Sequence, residues 1–195
     1  MKKLWLALWV CAALLPRAAA LSAAAAVTMD ADTGETLFAG NADSRLPMAS
    51  TTKIMTALVA LGEGDLDRVY TVKKQYAAVE GSSMYLEEGE RLTLRDTLYG
   101  LLLSSGNDAA AAVAGECGGE RAFVDKMNAK ARELGLTDTR FENPSGLPSD
   151  GHYTTARELA KITAAALRDP VFRDIVSTKT CTAAGRTPVR RSEGR

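Results

Sequence analysis

Hydrophobic residues recur with a helical period along much of the chain, and they predict its helices. Residues 51–61 are apolar on nearly every side, which is the pattern of a buried helix. A second helix begins at Thr93 with a capping pattern and a leucine face, and an alanine-rich third covers residues 108–116. Three more are predicted at residues 120–134, at residues 155–167, and from Asp169-Pro170 onward.

The remaining apolar segments are short and predict strands. Residues 25–31 and 35–40 flank Asp32-Thr33-Gly34 and are predicted to form a β-hairpin. Residues 69–73 and 82–86 are two further extended candidates, and residues 87–90 form the turn after the second. The chain therefore combines a hairpin and short strands with several helices, and it contains no internal repeat.

Lys53 is the unexpected residue of the first helix. Ser50 lies where an N-cap belongs, and a capping box would place Glu or Gln three residues later, where the chain has Lys53. The positive end of the helix dipole and the apolar surroundings both disfavour an ammonium, so the pKa of Lys53 should be lowered. A neutral amine one helical turn from a hydroxyl can activate a serine without histidine.

Each of these patterns also has an ordinary structural explanation. Ser-x-x-Lys is common by chance, although the apolar run after Lys53 shows that this lysine does not belong to a charged face. The single histidine, His152, has no activating pattern near it, which disfavours a Ser-His-Asp arrangement. Ser105-Gly106-Asn107 brings a hydroxyl and an amide to one loop, yet these residues also form simple turns.

Residues 1–20 have the features of an export signal. Lys2 and Lys3 precede an apolar run over residues 4–15, and Ala18-Ala19-Ala20 supplies a small-residue cleavage site. The run is too short for a membrane span. We therefore expect an exported protein that acts in the cell wall or periplasm.

Composition narrows the possible functions. The chain of 195 residues is 46% hydrophobic and 25% charged, which is typical of one or two globular domains. Without residues 1–20 the net charge is about −3, which gives no electrostatic case for nucleic acid. Only Cys117 and Cys181 then remain; they could pair under oxidising conditions, but with one histidine they complete no metal ligand set. We expect neither metal nor cofactor.

Five motifs, in order and spacing, resemble the serine-type D-Ala-D-Ala carboxypeptidases, the low-molecular-mass penicillin-binding proteins. They are PMASTTK at 47–53, GSSMYL at 81–86, SGNDA at 105–109, NPSGL at 143–147 and HYTTAR at 152–157. The resemblance runs from about residue 25 to residue 182. It implies a β-lactamase/transpeptidase-like α+β fold, with an antiparallel sheet, flanking helices and a helical subdomain.

The resemblance also implies roles for particular residues. Ser50 would be the nucleophile that forms an acyl-enzyme with the penultimate D-Ala of a peptidoglycan stem peptide, and Lys53 would be its general base. Ser105 would relay a proton to the departing amine, and Asn107 would hold Lys53 and the substrate amide. The backbone N–H of Ser50 would be one oxyanion donor. β-Lactam antibiotics would bind at the same site, and His152 would pack or hydrogen bond within its own loop.

One family element has no counterpart in the sequence. The family carries Lys-Thr-Gly or Lys-Ser-Gly on a strand beside the active site, whereas the nearest match here is Lys179-Thr180-Cys181, which resembles the preceding family strand. From these features we expect a signal at 1–20, a partial catalytic domain at 21–185 and a basic tail at 186–195. A truncated or frame-shifted chain would explain the missing strands, the missing membrane anchor and an expected low carboxypeptidase activity.

Two other interpretations stay open at this point. A serine β-lactamase shares Ser-x-x-Lys, but the glycine in Ser105-Gly106-Asn107 and the lack of a deacylating glutamate motif disfavour it. A non-catalytic remnant would keep the Ser50 pocket without the strand that completes it. Steady turnover of a chromogenic cephalosporin would favour the β-lactamase, and release of D-Ala from a diacyl-D-Ala-D-Ala peptide would favour the carboxypeptidase.

Overall fold

The computed structural model describes residues 22–183, so the predicted signal and the predicted basic tail lie outside the described residues. Two strands open the described part of the chain, two more lie between its first helices, and five helices then follow in succession, as expected for the α+β class. The strands are β1 (Ala26–Met29), β2 (Thr36–Gly40), β3 (Val69–Thr71) and β4 (Arg91–Thr93). The helices are α1 (Thr52–Leu61), α2 (Lys74–Ala77), α3 (Leu94–Leu103), α4 (Asn107–Glu116), α5 (Glu120–Glu133), α6 (Ala156–Ala166) and α7 (Pro170–Ser177).

The predicted hairpin is present as β1 and β2. The two strands pair antiparallel from Ala26 opposite Gly40, with a register shift after Thr28. The Asp30 carboxylate accepts hydrogen bonds from the backbone N–H of Thr33 at 2.7 Å and closes the turn. A side chain that binds its own backbone in this way favours a turn over continued strand.

The second sheet corrects the sequence prediction. Strand β3 pairs with β4, so the prediction of a strand at residues 82–86 is wrong. In that segment the N–H groups of Met84 and Leu86 donate to the Asp108 carboxylate, and Tyr85 has a left-handed φ of 61°. A side-chain acceptor from a distant helix has therefore replaced the neighbouring strand.

Helix α1 begins differently from the prediction. A 3₁₀ turn over Ala49–Thr51 leads into Thr52, and no side chain caps either helix start, so the prediction that Ser50 is the N-cap is wrong. The buried character of the helix is confirmed, since seven of its ten residues are buried. The tight turn leaves Ser50 exposed at the entrance to this buried helix.

The other helix starts follow the predicted caps. Thr93 and Asp96 form a complete capping box at the start of α3. The Thr155 hydroxyl accepts from the Glu158 N–H at 3.1 Å at the start of α6, and Asp169 caps α7 with Pro170 at its first position. The short helix α2 was not predicted.

Helix α1 is the centre of the described domain, where it contacts α3, α4, α5, α6 and α7. Burial of each large apolar side chain in this core is worth about 1.5–3 kcal/mol relative to exposure. No helix among residues 22–183 is long and apolar enough to cross a membrane. The largest fully buried side chains of the core around α1 are Phe123, Phe141, Met55, Leu94, Leu98, Leu101, Met127, Ile162 and Ile175.

Candidate active site

The 3₁₀ turn over Ala49–Thr51 places Ser50 directly after a strained residue. Ala49 adopts a left-handed φ of 46°, which is uncommon for a residue with a β-carbon. Its carbonyl accepts a hydrogen bond from the Thr52 hydroxyl at 2.7 Å. Strain of this kind persists only where surrounding contacts fix the backbone, and it is frequent at active sites.

Lys53 lies below Ser50 and is only 2% exposed. Its Nζ donates to Asn107 Oδ1 at 2.8 Å and to the Ser145 carbonyl at 2.7 Å, and it lies 3.4 Å from Ser50 Oγ. Burial lowers the pKa of Lys53 to about 8, although the nearby Asp108 carboxylate opposes this shift. A neutral amine would keep its two short hydrogen bonds and turn its lone pair toward Ser50.

Asn107 is held in one orientation by the backbone around it. Its Nδ2 donates to the Glu80 carbonyl at 2.8 Å, and its backbone N–H donates to the Ser82 carbonyl at 2.7 Å. A β-carbon at Gly81 would lie 2.6 Å from this Nδ2, so the segment approaches closely. The amide oxygen is therefore directed at Lys53.

Asp108 is a site residue that the sequence reasoning missed. Its buried carboxylate accepts from Ser83 Oγ at 2.6 Å, from the Met84 N–H at 3.0 Å and from the Leu86 N–H at 2.9 Å. It thereby fixes residues 83–86 beside the loop that carries Asn107. Its sequence signals were its place in the motif SGNDA and an acidic side chain in the first turn of a helix.

Ser105 lies in the loop between α3 and α4 with a left-handed φ of 54°. Its side chain is half-buried, and it hydrogen bonds with neither Ser50 nor Lys53. Lys53 thus contacts both Ser50 and Asn107, while Ser105, two residues before Asn107, hydrogen bonds with neither Ser50 nor Lys53.

The loop at residues 143–152 forms the opposite wall of the site. The Asn143 side chain accepts from the Gly146 N–H at 2.7 Å and donates to the Leu147 carbonyl at 2.9 Å, which fixes the loop from within. Thr56 on α1 donates to the Pro144 carbonyl at 2.7 Å. Together with the Lys53–Ser145 bond, this contact fastens the loop to α1.

Two cavities are lined by residues next to the site in sequence. One of about 500 Å³ is lined by residues 45–49 and by the loop that includes Gly146 and His152. Another of about 550 Å³ lies between Tyr85, Tyr99 and residues 179–183. Lys179-Thr180-Cys181 is irregular there, so its interpretation as the preceding family strand is wrong for the described structure.

Comparison with known proteins identifies the family to which the chain belongs. The family model described as D-alanyl-D-alanine carboxypeptidase matches residues 12–191. The chain belongs to this family. The resemblance inferred from the motifs is therefore confirmed.

Individual relatives agree with the family assignment. The chain is 45% identical over 145 residues to the D-alanyl-D-alanine carboxypeptidase DacF of Bacillus subtilis (strain 168), covering 71% of this chain and 37% of that protein. It is 39% identical over 176 residues to the D-alanyl-D-alanine carboxypeptidase of Streptomyces sp. (strain K15), covering 84% of this chain and 60% of that one. The chain thus spans less than two thirds of the length of either relative.

Solved structures confirm the transpeptidase-like fold. The D-alanyl-D-alanine carboxypeptidase of Mycobacterium tuberculosis H37Rv superposes with a TM-score of 0.79 at 36% identity, covering 84% of this chain and 64% of that chain. The Streptomyces K15 DD-transpeptidase gives 0.76 at 39% identity, covering 78% of this chain and 63% of that chain.

Proposed function

We propose that the site is that of a serine-type D-Ala-D-Ala carboxypeptidase, which removes the terminal D-Ala from peptidoglycan stem peptides. The observation that carries the proposal is the buried Lys53, whose hydrogen bonds to Asn107 and Ser145 leave its third contact for Ser50 Oγ. A lysine with a lowered pKa is suited to deprotonate a serine near neutral pH.

The reaction would proceed through an ester on Ser50. Neutral Lys53 takes the hydroxyl proton as Ser50 Oγ attacks the carbonyl carbon of the penultimate D-Ala. The Ser50 N–H, in the 3₁₀ turn that leads into α1, stabilises the oxyanion. The proton then passes to the nitrogen of the terminal D-Ala, by way of Ser105 in this proposal, as the C–N bond breaks. Water then attacks the ester carbonyl and gives a proton to Lys53, which returns it to Ser50 Oγ as the acyl C–O bond breaks, so the free hydroxyl and the neutral amine are restored.

β-Lactams offer a direct test because their ring opening leaves the whole molecule attached to the serine. We expect the 195-residue chain, incubated with a penicillin, to gain the full mass of the penicillin on the peptide that contains Ser50. Ser50→Ala should abolish the adduct. The sequence expectation of low activity makes long incubation and intact-mass detection the suitable measurement. No adduct on a chain that circular dichroism shows to be folded, or an adduct that survives Ser50→Ala, would overturn the proposal.

Substrate assays separate the carboxypeptidase from its alternatives. Release of D-Ala from a diacyl-D-Ala-D-Ala peptide, lost in Ser50→Ala, supports the proposed activity. Fast steady hydrolysis of a chromogenic cephalosporin would instead indicate a β-lactamase.

We also propose that residues 1–20 direct export, that residues 21–185 form the catalytic portion and that residues 186–195 are a separate basic tail. The features that support export are the Lys2-Lys3 start, the short apolar run and the alanine cleavage site. Expression of the chain in a bacterium and sequencing of the N-terminus of the exported product tests the signal. An uncleaved product retained in the cytoplasm would contradict it.

A further inference from the structure

His152 connects the back of the site to the nucleophile turn. Its imidazole is 5% exposed, and its Nε2 lies 2.7 Å from the hydroxyl of Thr52, which is 1% exposed. The same Thr52 hydroxyl lies 2.7 Å from the Ala49 carbonyl. His152 thus also hydrogen bonds outside its own loop, which the sequence expectation did not include.

The direction of each hydrogen bond in this series follows from the groups at its two ends, the Glu142 N–H and the Ala49 carbonyl. The Glu142 backbone N–H donates to His152 Nδ1 at 3.0 Å, so Nδ1 is an acceptor and carries no proton. The proton of a neutral imidazole then lies on Nε2, which donates to Thr52 Oγ1. The Thr52 hydroxyl is left to donate to the Ala49 carbonyl.

Ala49 is the residue whose conformation most directly sets the position of Ser50. Its left-handed φ of 46° needs support, because a residue with a β-carbon is strained there. Gly146 packs against the same carbonyl so closely that a β-carbon on it would lie 1.9 Å from Ala49 O. The Thr52 hydroxyl is the only side-chain donor to this carbonyl among residues 22–183.

We propose that neutral His152 is a positioning residue for the nucleophile: through Thr52 it holds the Ala49 peptide and thereby aims Ser50 at the acyl carbon. The inference rests on the proposed function, since it concerns how fast Ser50 is acylated. It assigns His152 no proton transfer with the substrate.

The charged surroundings determine when His152 is neutral. Glu142 lies beside it and favours the charged form, but Glu142 also pairs with Arg140 at 3.4 Å. The other charged residues nearby in the fold are Asp150 in the same loop and Lys53 on α1. The Phe141 ring packs edge-on against the imidazole, with 5.8 Å between the ring centroids. Burial is the larger effect and lowers the pKa of His152 below its usual value. Protonation would put an N–H on Nδ1 against the Glu142 N–H. This would break the series of hydrogen bonds that runs from Glu142 through His152 and Thr52.

The first measurement uses the fact that the chain has one histidine. Long-range ¹H–¹⁵N spectra of the resting 195-residue chain report its tautomer without overlap. We expect the proton on Nε2 at pH 7.5. A proton on Nδ1, or a charged ring at that pH, would overturn the inference without any reference to activity.

The second measurement is the rate of Ser50 acylation by a penicillin. His152→Gln has an amide oxygen and nitrogen that can replace Nδ1 and Nε2, so it should keep the rate within about threefold, whereas His152→Leu should lose roughly 10- to 100-fold. Because His152→Leu risks misfolding, Thr52→Ser and Thr52→Val form a second pair. Thr52→Ser should retain the rate, and Thr52→Val should reduce it by about tenfold or more.

The pH profile separates positioning from mere packing. Below the pKa of His152, protonation of both Lys53 and His152 should steepen the wild-type acid limb, while His152→Gln should keep the shallower slope of one proton. Equal slopes, or undiminished rates in folded His152→Leu and Thr52→Val, would overturn the inference alone. Absence of any Ser50 adduct in the wild-type chain would instead overturn the proposed function and this inference with it.

Discussion

Lys53 is a buried cation whose three hydrogen-bond partners are all neutral oxygens. They belong to Asn107, Ser145 and Ser50, and no carboxylate binds the ammonium. In a protein interior an unpaired charge is costly, and a lysine relieves the cost by losing its proton. The same burial that would destabilise an ordinary lysine therefore supplies a base at this position.

The first prediction is that acylation of Ser50 rises with pH through a midpoint near 8, the pKa of Lys53. Only the neutral amine can accept the hydroxyl proton, and at pH 7 roughly a tenth of the molecules have it in that form. The rate of penicillin acylation between pH 6 and 10 gives the profile. A midpoint below pH 6.5 would contradict this assignment.

Substitution of the lysine provides the matched control. Arginine keeps its proton across this range, so Lys53→Arg should slow acylation by about a hundredfold or more. Lys73 is exposed and forms an ion pair with Glu116 at 3.0 Å. It has no contact with Ser50 or Lys53, so Lys73→Arg should leave the pH profile unchanged.

The second prediction concerns Gly146, which has a φ of 89° and packs against the Ala49 carbonyl. Gly146→Ala forces the loop or the nucleophile turn to move, so we expect about 2–4 kcal/mol lower stability and a strong loss of acylation. Gly135→Ala is the control, because Gly135 also has a positive φ but nothing lies within 4 Å of an added β-carbon. It should cost about 1 kcal/mol in urea unfolding and leave acylation intact. Equal effects of the two variants would contradict the close approach.

Local sequence patterns predicted much of the site but not its framework. Ser50 and Lys53 are three residues apart, and Ser105 and Asn107 are two apart, so short motifs taken together in their order along the chain singled them out. The Leu86–Asp108 and Thr52–His152 hydrogen bonds join residues 22 and 100 positions apart. Hydrophobic periodicity depends on residues close in sequence and therefore cannot predict such distant partners.

At the scale of elements, prediction succeeded where the signal was local. The Thr93 capping box and Pro170 at the first position of α7 marked their helix starts correctly. It failed at residues 82–86, which were predicted as an extended segment, because Asp108 on α4 accepts hydrogen bonds from the N–H groups of Met84 and Leu86. A tertiary acceptor overrode the local preference there.

The third prediction tests that role of Asp108. Asp108→Asn removes the charge and places an amide N–H₂ among backbone donors, so we expect about 2–3 kcal/mol lower stability and faster hydrogen exchange at Met84 and Leu86. Because Asp108 raises the pKa of Lys53, the acylation midpoint should also move below pH 8. Asp96→Asn, which weakens only the capping box of α3, should cost about 1 kcal/mol or less. Unchanged exchange at both amides would refute the assignment.

Across the described domain, the apolar side chains of the helical core are buried, whereas those of the hairpin strand β2 are exposed to solvent. Within residues 22–183 each sheet has two strands, so every strand has one edge without a partner strand. Leu37 and Phe38 on β2 are 64% and 46% exposed. An apolar groove of about 490 Å³, lined in part by Val27 and Leu159, lies between β1 and α6. Exposed apolar surface and open strand edges together favour association.

The last prediction is that this hairpin governs the tendency of the 195-residue chain to associate. The double substitution Leu37→Thr and Phe38→Thr should lower the fluorescence of a bound hydrophobic dye and reduce light scattering at rising protein concentration. Stability should change by no more than about 0.5 kcal/mol, because both side chains are largely exposed and threonine suits a strand. Val69→Thr is the control, since Val69 is 48% exposed on β3 in the other sheet. If Val69→Thr reduced association as much as the double variant, the hairpin would not be its specific cause.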